Sequence, residues 1–237
     1  MRKKLTQKKI IVIIPARGNS KRVRKKNIRK LAGRPLIAHS IIQALQSRFI
    51  DRIFVSTDNR AIGLVARKYG AEVIWRPNKL SGDKASSESA LLHVIDELKR
   101  KENYVPDYIV FLQCTSPIRR RNDIDAAIRK FLKSGADSLL SVEAHNKFIW
   151  RRNRQTAFPL NYDFRRRPRE QDFPEEFKEN GSIYILKTSV LTKGKNRLGG
   201  KIAIYVMDHW SSFQIDLNED FELVEWIIRK HRKRYWP

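Results

Sequence analysis

The stretch IIVIIPARGNSKRVRKKN, residues 10–27, decides the fold of this chain. Its first part, residues 10–14, is a run of β-branched residues that predicts a buried strand, and Pro15 ends that strand. The loop that follows begins with residues suited to unusual backbone angles and carries six Lys and Arg residues within ten positions. In α/β proteins, phosphates bind where a parallel strand runs into a loop and then a helix. The stretch therefore predicts an α/β fold with an anion site at the end of its first strand.

Strands and helices alternate along most of the chain. Short apolar runs predict further strands, and a periodicity of 3.6 residues predicts helices. The predicted strands are 52–56, 72–75, 108–112, 138–142, 181–186 and 201–207, and the predicted helices are 35–47, 59–69, 86–101, 122–135 and 219–230. This alternation predicts a three-layer α/β fold with a mainly parallel sheet. The strand YIVFL is strongly apolar, and we expect it at the centre of the sheet.

The pattern breaks over residues 143–180. This segment shows no sustained period and is rich in arginines and aromatic residues. A long stretch without regular structure is unusual in a compact domain and is often functional. We therefore expect one domain over residues 1–237, with an inserted arm or hairpin at about 143–180.

The chain is strongly basic. Its 50 Lys and Arg residues outnumber its 25 Asp and Glu residues, which gives a net charge of +25. Such a charge favours a polyanionic partner, so a basic nucleic-acid-binding protein is a competing hypothesis. The sequence contains no helix-turn-helix, zinc-binding or single-strand-binding signature, and this argues against nucleic acid as the main partner.

Composition also bears on where the protein works. Hydrophobic residues make up 41% of the chain, enough for a sizeable core. No apolar run approaches the length of a membrane span, so we expect no membrane association. The single cysteine, Cys114, excludes an internal disulfide framework and indicates a reduced, cytoplasmic setting.

The basic loop lacks the familiar nucleotide-binding signatures. Neither GxxxxGK[ST] nor GxGxxG occurs near the first strand, which disfavours a kinase or a dinucleotide-binding enzyme. Its cations still suit a triphosphate, because Arg clamps phosphate oxygens with two parallel hydrogen bonds while Lys acts as a point charge. Positioned cations of this kind stabilise charge during phosphoryl transfer.

Six segments of the chain carry a resemblance to a known family. They occur in order as PARGNSKRVRKKN (15–27), VSTDN (55–59), WRPNKLSGDKASSESA (75–90), FLQCTSPIR (111–119), RPREQDFPEEFKENGSIYIL (167–186) and IDLNEDFELVE (215–225). The sequence resembles the acylneuraminate cytidylyltransferases, which make CMP-sialic acids. The resemblance covers residues 10–228, nearly the whole chain.

The resemblance implies a fold and a reaction. The fold would be a Rossmann-like nucleotidyltransferase domain whose small arm exchanges contacts across a homodimer. The enzyme would transfer CMP from CTP to the anomeric hydroxyl of a nine-carbon acidic sugar, a nonulosonic acid, with release of pyrophosphate and help from Mg²⁺. A related synthetase for the eight-carbon sugar KDO is the alternative enzyme.

The resemblance also implies which residues hold the nucleotide. Three cations of the basic loop would act on the reacting triphosphate: Arg17, Lys21 and Lys26. The implied nucleotide-binding set is Arg17, Ser20, Lys21, Asn27, Arg76, Ser86 and Ser87. An alternative role for Asn27 is a turn cap, and for Ser86 a cap of the helix that follows it.

On the acceptor side, the resemblance implies Gln113, Arg165 and Asn180 as sugar-binding residues and Arg169 as a further catalytic residue. Because the acceptor sugars are carboxylates, a nearby arginine has a clear use. The alternatives are a solvated face of the arm for the arginines and a plain turn for Asn180. Cys114 stands where the family usually has proline, and we expect a buried, unreactive thiol there.

The implied metal site departs from the family pattern. The family usually presents two aspartates two residues apart, whereas this chain has Gln214 at the first position and Asp216 at the second. Because Mg²⁺ often takes one or two carboxylates plus phosphate oxygens, we expect Asp216 alone to suffice as the protein ligand, with Gln214 or water completing the sphere. The alternative role of Asp216 is a helix cap.

Overall fold

The structure is a computed structural model that describes residues 8–83 and 85–235. Its strands are β1 (Ile10–Pro15), β2 (Lys30–Leu31), β3 (Arg34–Pro35), β4 (Arg52–Thr57), β5 (Glu72–Trp75), β6 (Tyr108–Leu112), β7 (Ser138–His145), β8 (Trp150–Asn153), β9 (Thr156–Pro159), β10 (Glu176–Lys187) and β11 (Ile202–Met207). Its helices are α1 (Leu36–Leu45), α2 (Arg60–Lys68), α3 (Ser87–Glu102), α4 (Asp123–Ser134), α5 (Thr188–Gly194), α6 (Asn218–Lys230) and α7 (Arg232–Tyr235).

Seven strands form one sheet in the order β11-β7-β10-β6-β1-β4-β5. β1 pairs in parallel with both β4 and β6, and β10 is antiparallel to its neighbours β6 and β7. The sheet is therefore mainly parallel, as predicted. β6, the YIVFL strand, occupies the middle position, which confirms the expectation from its apolar sequence.

The core has two layers of side chains because β1 is buried on both faces. Ile10, Val12 and Ile14 pack with α1, α2 and α4 on one face. Ile11 and Ile13 pack with α3 and α5 on the other. A strand covered on both faces needs apolar residues at every position, and this explains the unbroken β-branched run.

A third apolar cluster anchors the basic loop. Val23, the one apolar residue among the loop's cations, is fully buried and packs with Leu31, Ile118, Ile215 and residues of α6. This cluster joins the loop after β1 to the segment that precedes α6. It brings two stretches of the chain nearly 200 residues apart to the same side of the sheet.

The arm contains a hairpin. β8 and β9 pair with each other in a separate two-stranded sheet, and two short 3-10 helices follow at Phe164–Arg166 and Glu170–Asp172. Regular structure differs from the prediction at both ends of the segment.

The predicted irregular segment begins and ends in paired strands. β7 continues to His145 and β10 begins at Glu176, so the arm itself spans residues 146–175. These strand ends contain charged residues, so they lack the hydrophobic pattern from which strands are predicted. Lys178 pairs opposite Glu143 in the ladder, and their side chains form an ion pair at 2.9 Å that supports the strands.

Within residues 8–83 and 85–235, the helices are all too short or too polar to cross a bilayer.

Candidate active site

A cleft of about 270 Å³ lies at the carboxyl ends of β1 and β6. Ligands bind at this edge of open α/β sheets. The residues that line the cleft are Pro15, Arg17, Ser20, Lys26, Asn27, Ser87, Phe111, Gln113, Cys114 and Thr115. Six of them belong to the predicted site: Arg17, Ser20, Lys26, Asn27, Ser87 and Gln113. The fold thus brings together residues from three separate sequence segments.

Hydrogen bonds hold the start of the basic loop against β4. The backbone N–H of Gly18 donates to Asp58 Oδ1 at 2.8 Å, and Asn27 Nδ2 donates to the carbonyl oxygen of Arg17 at 3.0 Å. A Cβ atom on Gly18 would lie 2.8 Å from Cβ of Asn59, so this close approach requires glycine. Asn27 therefore fastens the loop to a residue ten positions earlier rather than capping a helix or turn, and it also lines the cleft.

The Asp83 carboxylate pairs with two cations of the basic loop, Arg17 and Lys21. Asp83 lies 2.5 Å from Lys21 Nζ and 3.3 Å from Arg17 Nη1, and Arg17 also donates to the carbonyl oxygen of Gly82. The hydrogen bond from Lys21 is the largest cause that lowers the pKa of Asp83 below its ordinary value. Lys21 lies outside the cleft lining and is two-thirds exposed. These two cations are thus arranged to share one anion.

Lys26 connects the loop to the predicted metal residue. Its Nζ donates to the carbonyl oxygen of Ile215 at 2.8 Å and lies 3.4 Å from Asp216 Oδ1. The helix-cap role considered for Asp216 belongs instead to Asp220, whose Oδ2 accepts the backbone N–H of Asp216 at 2.7 Å. The Asp216 carboxylate is half exposed beside the cleft lysine.

Arg76, Ser86 and Ser87 lie in different environments. Arg76 is buried, which lowers the pKa of its guanidinium, and its Nε has no hydrogen-bond partner among the described residues. Ser86 Oγ accepts the backbone N–H of Ser89 at 3.1 Å, so Ser86 caps α3. Ser87 lines the cleft. A buried, unpaired guanidinium donor is costly unless something else accepts its hydrogen, and Arg76 therefore suits a polar ligand.

Two glutamines meet over a glycine near the residues that the sequence predicts for sugar binding. Gly181 has a φ of +64°, and a Cβ there would lie 2.9 Å from Gln113 Oε1 and 2.8 Å from Gln214 Nε2. Gln214 Nε2 donates to the carbonyl oxygen of Asn180 at 2.8 Å. Asn180 is buried, its Oδ1 accepts from Ser141 Oγ at 2.6 Å, and its Nδ2 has no partner in the described chain. Asn180 thus holds the side chain of Gln214 next to Gly181.

The two arm arginines make contacts within the arm. The Arg165 guanidinium lies 5.4 Å from the ring of Phe164, and Arg169 is paired with Asp172 at 2.6 Å with three quarters of its side chain exposed. Neither residue lines the cleft. The structure therefore does not place these two side chains at the cleft of the same chain. The arm hairpin pairs with itself rather than with the central sheet.

The expectation for Cys114 is confirmed. It is buried, and burial raises the pKa of its thiol to about 12, so the thiol is neutral at physiological pH. A neutral thiol is a poor nucleophile, and Cys114 shapes the wall of the cleft.

The residues near the cleft fit a magnesium ion that is bound mainly by phosphate. Among the described residues, no three Asp, Glu, His or Cys side chains are grouped as a metal site. Asp216 supplies one hard anionic oxygen beside Lys26, whereas the Gln214 amide nitrogen already donates to the protein. One carboxylate with several phosphate oxygens and waters is an ordinary Mg²⁺ environment.

Sequence reasoning did not identify three features of the site. Asp83 was not predicted to pair with Arg17 and Lys21, although it stands in a motif segment four residues before Ser87. Phe111 and Thr115 line the cleft on either side of Gln113. Their proximity to Gln113 in sequence was the available signal, because alternate residues at a strand end reach the same edge.

The sequence is similar to those of known cytidylyltransferases. The chain is 35% identical over 227 residues to N-acylneuraminate cytidylyltransferase A from Danio rerio, which covers 94% of this chain and 51% of that protein. It is 32% identical over 230 residues to pseudaminic acid cytidylyltransferase from Campylobacter jejuni subsp. jejuni serotype O:23/36 (strain 81-176), with 93% of this chain and 97% of that protein covered. The chain therefore spans about half the length of the Danio rerio relative.

A solved structure shares the fold. It is a CMP:2-keto-3-deoxy-manno-octonic acid synthetase complexed with CTP, with a TM-score of 0.71 and 19% sequence identity, over 94% of this chain and 99% of that one. At this identity the likeness shows the fold alone. The sequence profile described as "Cytidylyltransferase" matches residues 11–235. With this match and the strand-end cleft, the chain belongs to the cytidylyltransferase family.

Proposed function

We propose that this protein transfers CMP from CTP to the anomeric hydroxyl of a nonulosonic acid. The observation that carries the proposal is the cleft at the ends of β1 and β6, where Arg17, Lys26 and Asn27 face Gln113 across one cavity. The names of the relatives at 32–35% identity support the nonulosonic class of acceptor.

The arrangement of charges suits departure of pyrophosphate. In the proposed reaction the acceptor oxygen forms a bond to the α-phosphorus, and the bond from that phosphorus to the bridging oxygen of the β-phosphate breaks. Arg17 and Lys21 share a carboxylate in the structure, and the β- and γ-phosphates would take its place. Fixed cations next to a leaving pyrophosphate lower the barrier by stabilising the charge that develops.

The two ends of the cleft have different roles in this proposal. Lys26 and the half-exposed Asp216 lie at the triphosphate, where a bound Mg²⁺ would neutralise phosphate charge. Arg76 and Ser87 hold the nucleoside, and Gln113 meets the acceptor. Arg165 and Arg169 contribute in a homodimer through the arm, and the cytoplasmic setting indicated by the single cysteine stays a prediction.

The decisive experiment is pyrophosphate release with CTP, Mg²⁺ and a panel of acceptors. The panel contains neuraminic, legionaminic and pseudaminic acids and KDO, with product mass as the identification. We expect turnover with at least one nine-carbon acid and a CMP-sugar product. Turnover with KDO alone would favour the alternative enzyme. Folded protein that is silent with all four acids would refute the proposal, and DNA binding that is salt-dependent and indifferent to CTP would favour the nucleic-acid hypothesis.

A further inference from the structure

Arg119 is a buried cation close to the cleft in sequence and in its contacts. Only 1% of its surface is exposed, and it is the largest of the fully buried side chains in the described chain. Its Nη1 donates to Gln43 Oε1 at 2.8 Å and to Ser40 Oγ at 3.2 Å. Its Nη2 donates to the carbonyl oxygens of Ser182 at 2.8 Å and Gln113 at 3.2 Å. All four acceptors are neutral.

Arg119 lacks a carboxylate partner among the hydrogen bonds of the described residues. Asp123, a carboxylate whose charge acts on Arg119, is engaged elsewhere: it accepts the backbone N–H of Arg120 at 2.6 Å and the hydroxyl of Tyr205 at 2.9 Å. Burial of an uncompensated charge costs several kcal/mol in general. Such a group needs geometrically good hydrogen bonds, and their directions show what the charge holds in place.

These directions lead to the acceptor side of the cleft. One end of the guanidinium is fixed by α1 through Ser40 and Gln43. The other end holds the carbonyl of Gln113, whose side chain lines the cleft, and the carbonyl of Ser182, which directly follows Gly181. The fork therefore sets the separation between the end of β6, which Gln113 follows, and the Gly181 segment of β10.

A neighbouring serine also contacts the Gly181 segment of β10. Ser116 is fully buried, and its Oγ donates to the carbonyl oxygen of Gly181 at 3.3 Å. The nucleotide-side residues Arg17, Lys26 and Asn27 receive no hydrogen bond from Arg119. Within the site, Arg119 therefore contacts only the half that we assign to the acceptor.

We propose that Arg119 is a positioning residue that aligns Gln113 with the Gly181 segment of β10 for acceptor binding. It does so without touching either substrate. This inference rests on the proposed function, since it assigns a role within the acceptor half of that site.

The test compares acceptor and nucleotide binding in Arg119→Lys. Lysine keeps the positive charge but is not a planar fork, so it cannot bridge α1 and two backbone carbonyls with the same geometry. We expect the KM for the acceptor to rise by at least about tenfold, since small misplacements of a binding group are costly. The Kd for CTP, measured by calorimetry, should stay within about twofold of the wild-type value.

The matched control is Ser40→Ala. It removes the longer hydrogen bond of Arg119 Nη1, at 3.2 Å, and leaves the 2.8 Å bond from the same nitrogen to Gln43 Oε1, so we expect both constants to remain near wild type. If Arg119→Lys fails to fold, Gln43→Met decides. This variant removes the 2.8 Å anchor on α1 at a similar volume, and we expect it to raise the acceptor KM while the CTP Kd is preserved.

The outcomes separate this inference from the function itself. No turnover by the wild-type enzyme with any acceptor refutes the proposed function and the positioning role with it. An active wild type and an Arg119 or Gln43 variant with unchanged acceptor KM overturn the positioning role alone. Equal weakening of acceptor and CTP binding also overturns it, because a merely structural defect predicts that result.

Discussion

The Lys21 ammonium lies 2.5 Å from the Asp83 carboxylate. A second cation, Arg17, contacts the same carboxylate at 3.3 Å. An internal anion therefore holds the cations that we assign to the triphosphate. Under the proposed function CTP would displace it, and the affinity for CTP would then depend on a residue that does not line the cleft.

We expect Asp83→Asn to tighten CTP binding. Exposed ion pairs are weak, so the Kd should fall by up to about fivefold, as measured by calorimetry at low salt. Glu225→Gln is the matched control, because it removes the same charge from an exposed pair with Arg229 on α6. An unchanged or weaker affinity in Asp83→Asn would show that the carboxylate does not compete with the triphosphate.

Lys21→Ala should reduce turnover without affecting stability. Removal of one group that stabilises transition-state charge costs about 10²-fold in kcat in comparable cases. The Lys21 side chain is 65% exposed, so we expect the melting temperature to shift by no more than about 2 °C. Arg24→Ala, an exposed cation of the same loop, should keep near-normal turnover. Equal rates for the two variants would argue against a specific role for Lys21.

Gly181→Ala should damage the acceptor side of the site. A Cβ atom at this position meets both Gln113 and Gln214 at under 3 Å, in addition to the strain of a φ of +64°. Gly33→Ala separates these effects, because Gly33 has a φ of +86° but open space around the added atom. Both variants should lose about 1–2 kcal/mol in free energy of unfolding. We expect a higher acceptor KM only in Gly181→Ala, and a parallel change in Gly33→Ala would contradict this assignment.

Cys114 should resist alkylation in the folded protein. Because burial raises the pKa of its thiol to about 12, less than about one thiol in a thousand is ionised at pH 8. Iodoacetamide should therefore leave the native protein unmodified by mass and label it fully in denaturant. Cys114→Ala should retain CTP binding. Rapid labelling of native protein would mean that the thiol reaches solvent.

Asp208 makes stability depend on pH at the acid end. Burial alone would raise the pKa of this carboxyl, but hydrogen bonds from Tyr235, Ser211 and Arg120 outweigh burial and lower it to about 2, from an ordinary value of 3.8. The unfolded chain therefore takes up the proton first as pH falls. The stabilisation is complete above the ordinary value and is lost as pH falls through about 2.

The corresponding variant is Asp208→Asn. Its free energy of unfolding should be about 2 kcal/mol lower than that of the wild type at pH 7, as measured by urea denaturation. The difference should shrink between about pH 4 and pH 2. A gap that stays constant over this range would assign the stabilisation to packing rather than to charge.

Much of the fold was predictable because local patterns coincided with tertiary burial. The unbroken apolar runs at β1 and β6 belong to strands covered on both faces, and β6 lies at the centre of the sheet as expected. The polar ends of β7 and β10 were missed, because their stability comes from cross-strand pairing such as Glu143 with Lys178. Such pairing joins residues distant in sequence and leaves no period in either segment.

By itself the sequence determined the α/β class, the strand that ends in a cationic loop, and the segments that supply the cleft. Those properties depend on residue type and short-range spacing. The tertiary structure alone decided that Asp83 pairs with Arg17 and Lys21, that Gln113 and Gln214 meet over Gly181, and that Arg119 ties α1 to the end of β6 and to the middle of β10. The physical reason is that each of these contacts joins side chains tens of residues apart, whose distance is set by how the helices pack on the sheet.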